Sequence, residues 1–178
     1  MGMVYTELLE MIEARFSFDM VDTVLERSGA SGSYTSVGNY ADEELVGIVA
    51  ALSEETQTPV SDLLYAYGEY LGGRFVELFP AFFNAHTSAL EFLKGLESHV
   101  HTEVRKLYPN AKPPLFAWTT DEDAFLLTYH SERGLWKFAE GLLTKCLNHY
   151  GDSQYIQDIV DHSGGAGTHV EFRLAVTP

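Results

Sequence analysis

Three polar side chains stand at alternate positions near residue 130 and could hold an anion. Tyr129, Ser131 and Arg133 follow the apolar run 125–127. If that run continues as a strand, side chains repeat with a period of two and all three share one face. Two hydroxyls and a guanidinium with five N–H donors suit a pair of carboxylates. The alternative is an ordinary polar strand face that meets solvent.

A histidine on a predicted helix is the second candidate, as a metal ligand. His99 and His101 are two positions apart, so on a helix they point about 200° apart and cannot both bind one ion. His101 lies beside an apolar stripe that includes Val100 and Val104, and is predicted to face inward, with His99 outward. An inward histidine can bind iron, or it can be a core residue whose nitrogens have protein partners.

The elements that must position these side chains follow an α+β pattern, with helices first and a small antiparallel sheet after them. The prolines at 109, 113 and 114 separate the part of the chain with helical spacing from the part with strand spacing. We expect one domain over 1–178, with a helical lobe over about 1–62 and a lobe of ligating helix and sheet over about 63–178. The predicted helices cover about 4–16, 18–26, 42–53, 59–79, 87–108 and 134–150, and the predicted strands 115–118, 124–129, 155–160 and 168–176.

Composition excludes several classes of protein. The formal net charge of -15 argues against a nucleic-acid or anionic membrane partner. It is compatible with simple solubility or with a basic protein partner. The single cysteine, Cys146, excludes an internal disulfide and a cysteine-rich zinc site, and its helical position predicts a core residue. The start does not resemble a signal peptide and no apolar run could cross a bilayer, so we expect a cytoplasmic protein.

The histidine, the polar strip and a large apolar set together point to one ligand. Haem b combines a metal centre, a broad apolar plane and two carboxylates. A neutral imidazole binds iron well, and arginine pairs with a propionate through charge-assisted hydrogen bonds. No nucleophile motif or phosphate-binding loop competes with this interpretation. The apolar set comprises Leu8, Leu71, Phe75, Phe79, Phe138 and Leu142.

Over essentially its whole length the sequence resembles the haem-nitric oxide/oxygen binding family, bacterial relatives of the sensor domain of soluble guanylate cyclase. The Tyr-x-Ser-x-Arg motif at 129–133 carries the resemblance, together with His101 and the run from Lys112 to Pro114. The resemblance implies that the motif holds the haem propionates, that His101 is the proximal iron ligand, and that Pro114 presses on the porphyrin.

The resemblance also implies a distal pocket for a diatomic gas. Oxygen-binding members have a tyrosine where this chain has Phe138, which cannot donate a hydrogen bond. We therefore expect ferrous haem to bind nitric oxide and carbon monoxide and to discriminate against oxygen. A hydroxyl from Tyr5, Tyr67 or Tyr70 could still reach the pocket from another direction. The expected pocket residues are Val4, Leu8, Leu71, Phe75, Phe138 and Leu142.

Three functions remain open at this point. The first is a gas sensor, not an enzyme, in which nitric oxide releases His101 and the signal passes to a separate protein. By resemblance, that protein is a histidine kinase or a diguanylate cyclase. The second is a haem enzyme with peroxidase-like or nitric oxide-converting activity, which would need distal acid–base groups. The third is a structural or apolar-ligand module without haem, which would be colourless.

Overall fold

The helical part of the chain comes first. The computed structural model describes residues 2–108, 112–121, 124–151 and 153–176. Ser17 caps the second helix by accepting from the Met20 N–H, and three carboxylates lie in the first turn of the third, where the helix dipole favours negative charge. These helices are α1 (Met3–Arg15), α2 (Phe18–Ser28), α3 (Asp42–Thr56), α4 (Val60–Leu78), α5 (Pro80–Asn84) and α6 (Ala89–Gly95).

A widened helical turn, one short helix and the sheet follow. The four strands are antiparallel in the order β1-β2-β4-β3, with α8 inserted between the second and third strands in sequence. This confirms the predicted α+β class. The elements are a π-helical turn (Leu96–His101), α7 (Thr102–Leu107), β1 (Leu115–Asp121), β2 (Ala124–His130), α8 (Trp136–Tyr150), β3 (Gln154–Asp161) and β4 (His169–Val176).

Two groups of buried side chains form the interior. One joins α1, α2, α3 and α4, and it includes Leu8, Ile48 and Leu71. The other joins the inner face of the sheet to α6 and α8, and it includes Phe172 and Cys146. Cys146 is therefore a core residue, as predicted. Phe75 of α4 packs against both groups, so this helix runs from one into the other.

Helices α4 and α8 approach each other closely because a glycine on each faces the other. A Cβ added to Gly68 would lie 2.2 Å from the Phe138 carbonyl oxygen. A Cβ added to Gly141 would lie 2.1 Å from the Tyr65 carbonyl oxygen. Both obstacles are backbone atoms that cannot move aside, so any side chain here would force the helices apart.

The predicted helix over 87–108 is confirmed as a continuous helical run from Ala89 to Leu107, but it is not a regular α-helix throughout. It is three pieces, α6, the π-helical turn and α7, with the turn in the middle. The helix that begins near residue 60 ends at Leu78, close to the predicted end, and Pro80 opens the short helix α5 directly after it. Among the helices that the structure describes, none is long and apolar enough to cross a membrane.

Candidate functional site

His101 ends the π-helical turn and faces inward, as predicted. Its side chain is 12% exposed, whereas His99 on the same turn is exposed. The Thr102 hydroxyl donates to the Glu97 carbonyl oxygen five residues earlier, at 3.0 Å, a spacing that belongs to a widened turn. Such turns are rare and occur often at functional sites.

The two nitrogens of the His101 ring differ in their surroundings. Nδ1 lies 2.6 Å from Glu97 Oε1, close enough for a hydrogen bond to the carboxylate. Nε2 makes no hydrogen bond within the described part of the chain. Burial lowers the pKa of His101 despite the neighbouring carboxylate, so the neutral ring is favoured. A neutral imidazole binds iron through one nitrogen while the other nitrogen is hydrogen bonded, and His101 has this form.

Glu97 receives three donors at once. Oε1 accepts from His101 Nδ1 and, at 3.0 Å, from the Phe116 backbone N–H of β1. Oε2 accepts from the Arg105 guanidinium at 3.0 Å. Burial would raise the pKa of Glu97, but hydrogen bonds from all three groups outweigh it and hold the pKa below its usual value. The carboxylate is therefore ionised at neutral pH.

The polar strip at 129–133 does not have the predicted geometry. Tyr129 is on β2 and faces the core, but the strand ends at His130. Ser131 and Arg133 lie in a turn, in which the Ser131 N–H donates to the Thr168 carbonyl and the Gly134 N–H to the Ser131 carbonyl. The prediction of one shared strand face is thus wrong for Ser131 and Arg133.

The turn nevertheless gathers the three side chains. The Arg133 backbone N–H donates to the Ser131 hydroxyl at 3.3 Å, and burial raises the pKa of Tyr129 although its neighbours Ser131 and Arg133 lower it. The Arg133 guanidinium donates to the Lys112 carbonyl at 2.7 Å and to the Asp42 carboxylate at 3.1 Å. The arginine thus lies between the start of α3 and the segment that leads to Pro114, which is partly buried just before β1.

Phe116 connects the histidine to the strip. Its ring centroid lies 5.9 Å from that of His101 and 5.7 Å from that of Tyr129. The sequence predicted His101 and Tyr129 separately. Phe116 of β1 lies between them because it is paired with Tyr129 across the sheet.

The expected distal residues all belong to or pack against the helical interior. Phe138 stacks on Tyr67 with ring centroids 5.1 Å apart. The Tyr67 hydroxyl donates to the Val4 carbonyl and the Tyr5 hydroxyl to the Ala41 carbonyl, so both are engaged by backbone. Phe79, expected in the apolar set, is 38% exposed. Leu8 and Leu71 are fully buried, and Val4, Phe75, Phe138 and Leu142 are partly buried.

Comparison with known proteins decides which family this arrangement represents. The model of the Haem-NO-binding family matches residues 1–157. The chain belongs to the haem-NO-binding family, also called H-NOX. H-NOX domains bind haem and act as sensor domains. The donor set described above fits that cofactor, because it combines a neutral buried imidazole, hydroxyl and guanidinium donors, and an apolar interior between helices.

Solved H-NOX structures show the same fold. The Fe(II) unliganded H-NOX protein from K. algicida is 30% identical, with a TM-score of 0.91 over 99% of this chain and 96% of that one. The H-NOX from Shewanella woodyi, bound to IWP-051 in the Fe(II)CO state, is 35% identical, with a TM-score of 0.84 over 100% and 95%. The Fe(II)NO protein from S. oneidensis is 24% identical with a TM-score of 0.89 over 99% of both chains, a likeness of fold. No curated protein sequence matches the chain.

Sequence reasoning missed two residues that belong to the site. Glu97 stands four positions before His101, a spacing that places both on one helical face and could have revealed it. Asp42 contacts Arg133 across 91 positions of sequence, and no local signal predicts that contact.

Proposed function

We propose that this chain is a haem b sensor of nitric oxide and carbon monoxide that discriminates against oxygen and signals to a separate protein. The observation that carries the proposal is the buried, neutral His101 ring, held at Nδ1 and unbonded at Nε2 within the described residues, in an H-NOX fold. Bound ferrous haem would supply an iron centre with one open position for a diatomic gas.

His101 is the proposed proximal ligand, through Nε2. Its ring is oriented by the hydrogen bond from Nδ1 to Glu97, as is usual for histidines that bind metals. Pro114, which directly precedes β1, is the proposed contact on the same side of the porphyrin.

Tyr129, Ser131 and Arg133 are the proposed propionate-binding group. Two hydroxyls and a guanidinium converge at the end of β2, and the guanidinium still has donors beyond those used by Asp42 and Lys112. Charge-assisted hydrogen bonds to a carboxylate are roughly twice as strong as neutral ones.

The proposed discrimination against oxygen rests on the distal residues. The six expected there carry no hydrogen-bond donor in their side chains. Of the three tyrosines considered, Tyr5 and Tyr67 already donate to backbone carbonyls, which leaves Tyr70. An oxygen ligand that gains negative charge needs a donor, whereas nitric oxide and carbon monoxide depend on one much less. The same six residues offer no acid or base, so a sensor is favoured over a haem enzyme.

Release of His101 is the proposed signal. The π-helical turn that carries it has no fully buried residue, so the turn is held less firmly than α4 or α8. A shift of the turn would move Phe116 and β1 relative to the helical lobe over about 1–62. The proposed partner is a histidine kinase or a diguanylate cyclase, and binding studies with each would identify it.

The experiment that tests the proposal is spectroscopy of the purified full chain with haem. We expect resonance Raman spectra of the ferrous protein to show an iron–histidine stretch, and nitric oxide to remove it. His101→Ala should lack this band, while His99→Ala, on the exposed side of the same turn, should keep it. A histidine band that persists in His101→Ala would refute the assignment.

A further inference from the structure

Glu97 has a contact set that the sensor function alone does not require. Its carboxylate takes one hydrogen bond from the proposed iron ligand, one from the backbone of a different element, and one from an arginine. The contacts with His101 and Phe116 share the single oxygen Oε1, so the histidine and strand β1 are joined through one atom.

We propose that Glu97 is a positioning residue that strengthens the bond from His101 to iron and so sets how readily nitric oxide releases the histidine. This inference rests on the proposed function, because it assumes that His101 is the ligand. It adds a residue that controls the threshold of the sensor.

The hydrogen bond to Glu97 fixes the orientation of the His101 ring. A carboxylate can only accept, so His101 Nδ1 must carry the proton and Nε2 must carry the lone pair. At 2.6 Å the contact is short for a nitrogen donor, as expected for an ionised acceptor. Glu97 therefore fixes both the tautomer and the direction of the ring before any ligand binds.

The same hydrogen bond makes the His101 imidazole more basic. A carboxylate that accepts from the far nitrogen of a metal-binding histidine pulls the proton toward itself and makes the imidazole a stronger donor to the metal. A stronger proximal bond resists the weakening that nitric oxide causes on the opposite side. A larger share of the nitric oxide complex should then keep its histidine.

Arg105 opposes the effect of Glu97 on His101. Its guanidinium lies 3.0 Å from Glu97 Oε2 and withdraws part of the negative charge from the carboxylate. Removing Arg105 should therefore leave more charge for the hydrogen bond to His101. Removing Glu97 and removing Arg105 should therefore change the strength of the bond from His101 to iron in opposite directions. A merely structural role for Glu97 would not produce this opposition.

The test compares three variants with the wild-type holoprotein by resonance Raman spectroscopy of the ferrous state. Glu97→Gln should shift the iron–histidine stretch to lower frequency, and Arg105→Gln should shift it to higher frequency. Glu103→Gln is the matched control, because Glu103 is on α7 and pairs only with Lys106 among the described residues. Its band should coincide with that of the wild type.

Two further readouts accompany the frequency. Glu97→Gln should raise the haem dissociation constant by up to about tenfold, the lower end of the range for lost outer-shell partners. Electron paramagnetic resonance should show a larger histidine-free fraction of the nitric oxide complex in Glu97→Gln and a smaller one in Arg105→Gln.

The outcomes separate the two proposals. A wild-type protein with no iron–histidine band refutes the sensor assignment itself. A wild-type band that is unchanged in Glu97→Gln, or lowered in both variants, refutes the role of Glu97 alone. If Glu97→Gln does not fold, Arg105→Gln decides: a rise in frequency supports the proposal, and an unchanged or lower frequency overturns it.

Discussion

The two sides of the proposed haem site are built in opposite ways. On the proximal side, the turn Leu96–His101 is widened, has no fully buried residue and is held by polar contacts of Glu97. On the distal side, the long helices α4 and α8 pack against each other through paired glycines and present apolar side chains. One side is polar and loosely held, and the other is apolar and tightly packed.

This difference assigns a separate task to each side. A ligand that must be released on a signal belongs on an element with few buried contacts, because such elements move at low cost. A pocket that must reject a polar gas complex belongs between rigid apolar walls, because no donor can move in to stabilise it. Mutations on one side should therefore leave the properties of the other side unchanged.

Removal of the proximal ligand should have the largest effect. His101→Ala deletes the only inward histidine of the turn, so ordinary haem retention should be lost. Haem content after purification, measured by absorbance, checks this, with His99→Ala as the control. Addition of free imidazole should restore haem binding if the cavity survives, and a haem-replete variant without added imidazole would show that another residue binds the iron.

Replacing a glycine at the contact between α4 and α8 should have the next largest effect, a loss of stability. Gly141→Ala places a Cβ 2.1 Å from a backbone oxygen, and overpacking of this kind costs about 3 kcal/mol. Denaturant unfolding measures the change in the free energy of unfolding. Gly73→Ala, on the same helix as Gly68, meets only the end of Lys145 at 3.4 Å and should instead gain about 0.5–1 kcal/mol.

Equal stability of Gly141→Ala and the wild type would mean that α4 and α8 do not cross as closely as described. The claim that the distal side is tightly packed would then be wrong, and so would the contrast between the two sides.

A hydroxyl on the distal wall should change gas selectivity. Phe138→Tyr adds a donor beside Tyr67 without deleting the ring, and a hydrogen bond to a partly charged acceptor contributes about 1.5 kcal/mol, or roughly tenfold in affinity. We expect oxygen affinity to rise by that factor and carbon monoxide affinity to change little. Phe138→Leu is the control. An equal rise in oxygen affinity in that variant would show that the size of the side chain, and not the added hydroxyl, causes the change.

Loss of the arginine should have the smallest effect. Arg133→Ala removes one charged contact at a partly exposed position, so we expect a loss of about 1 kcal/mol, or roughly fivefold in haem affinity. The iron–histidine stretch should be unchanged, because the proximal side is not touched. Haem titration of the apoprotein measures the affinity, and a shifted stretch would show that the two ends of the site are coupled.

The contrast between the two sides also explains how much could be predicted from the sequence. Helical and strand periodicities predicted the α+β class and the inward direction of His101, because those signals are local. The turn that begins after His130 was not predicted, since a polar strip after an apolar run continues the strand pattern equally well. The helix over 87–108 was predicted as regular, because nothing in its spacing distinguishes a widened turn.

Contacts between distant elements were the least predictable. Gly68 and Gly141 are unremarkable within their own helices, and only the packing of α4 on α8 shows why a side chain is excluded. The Asp42–Arg133 contact likewise depends on how α3 meets the end of β2. Whether the six distal residues surround a bound gas stays a prediction.

The central claim is that a releasable histidine holds haem on the polar side while the apolar side rejects oxygen. The most direct measurement is the absorption spectrum of the reduced protein in air, with carbon monoxide and nitric oxide as positive controls. We predict clear spectral changes with carbon monoxide and nitric oxide, and none attributable to a stable oxygen complex. A stable oxygen complex of the unmutated protein in air would contradict the account.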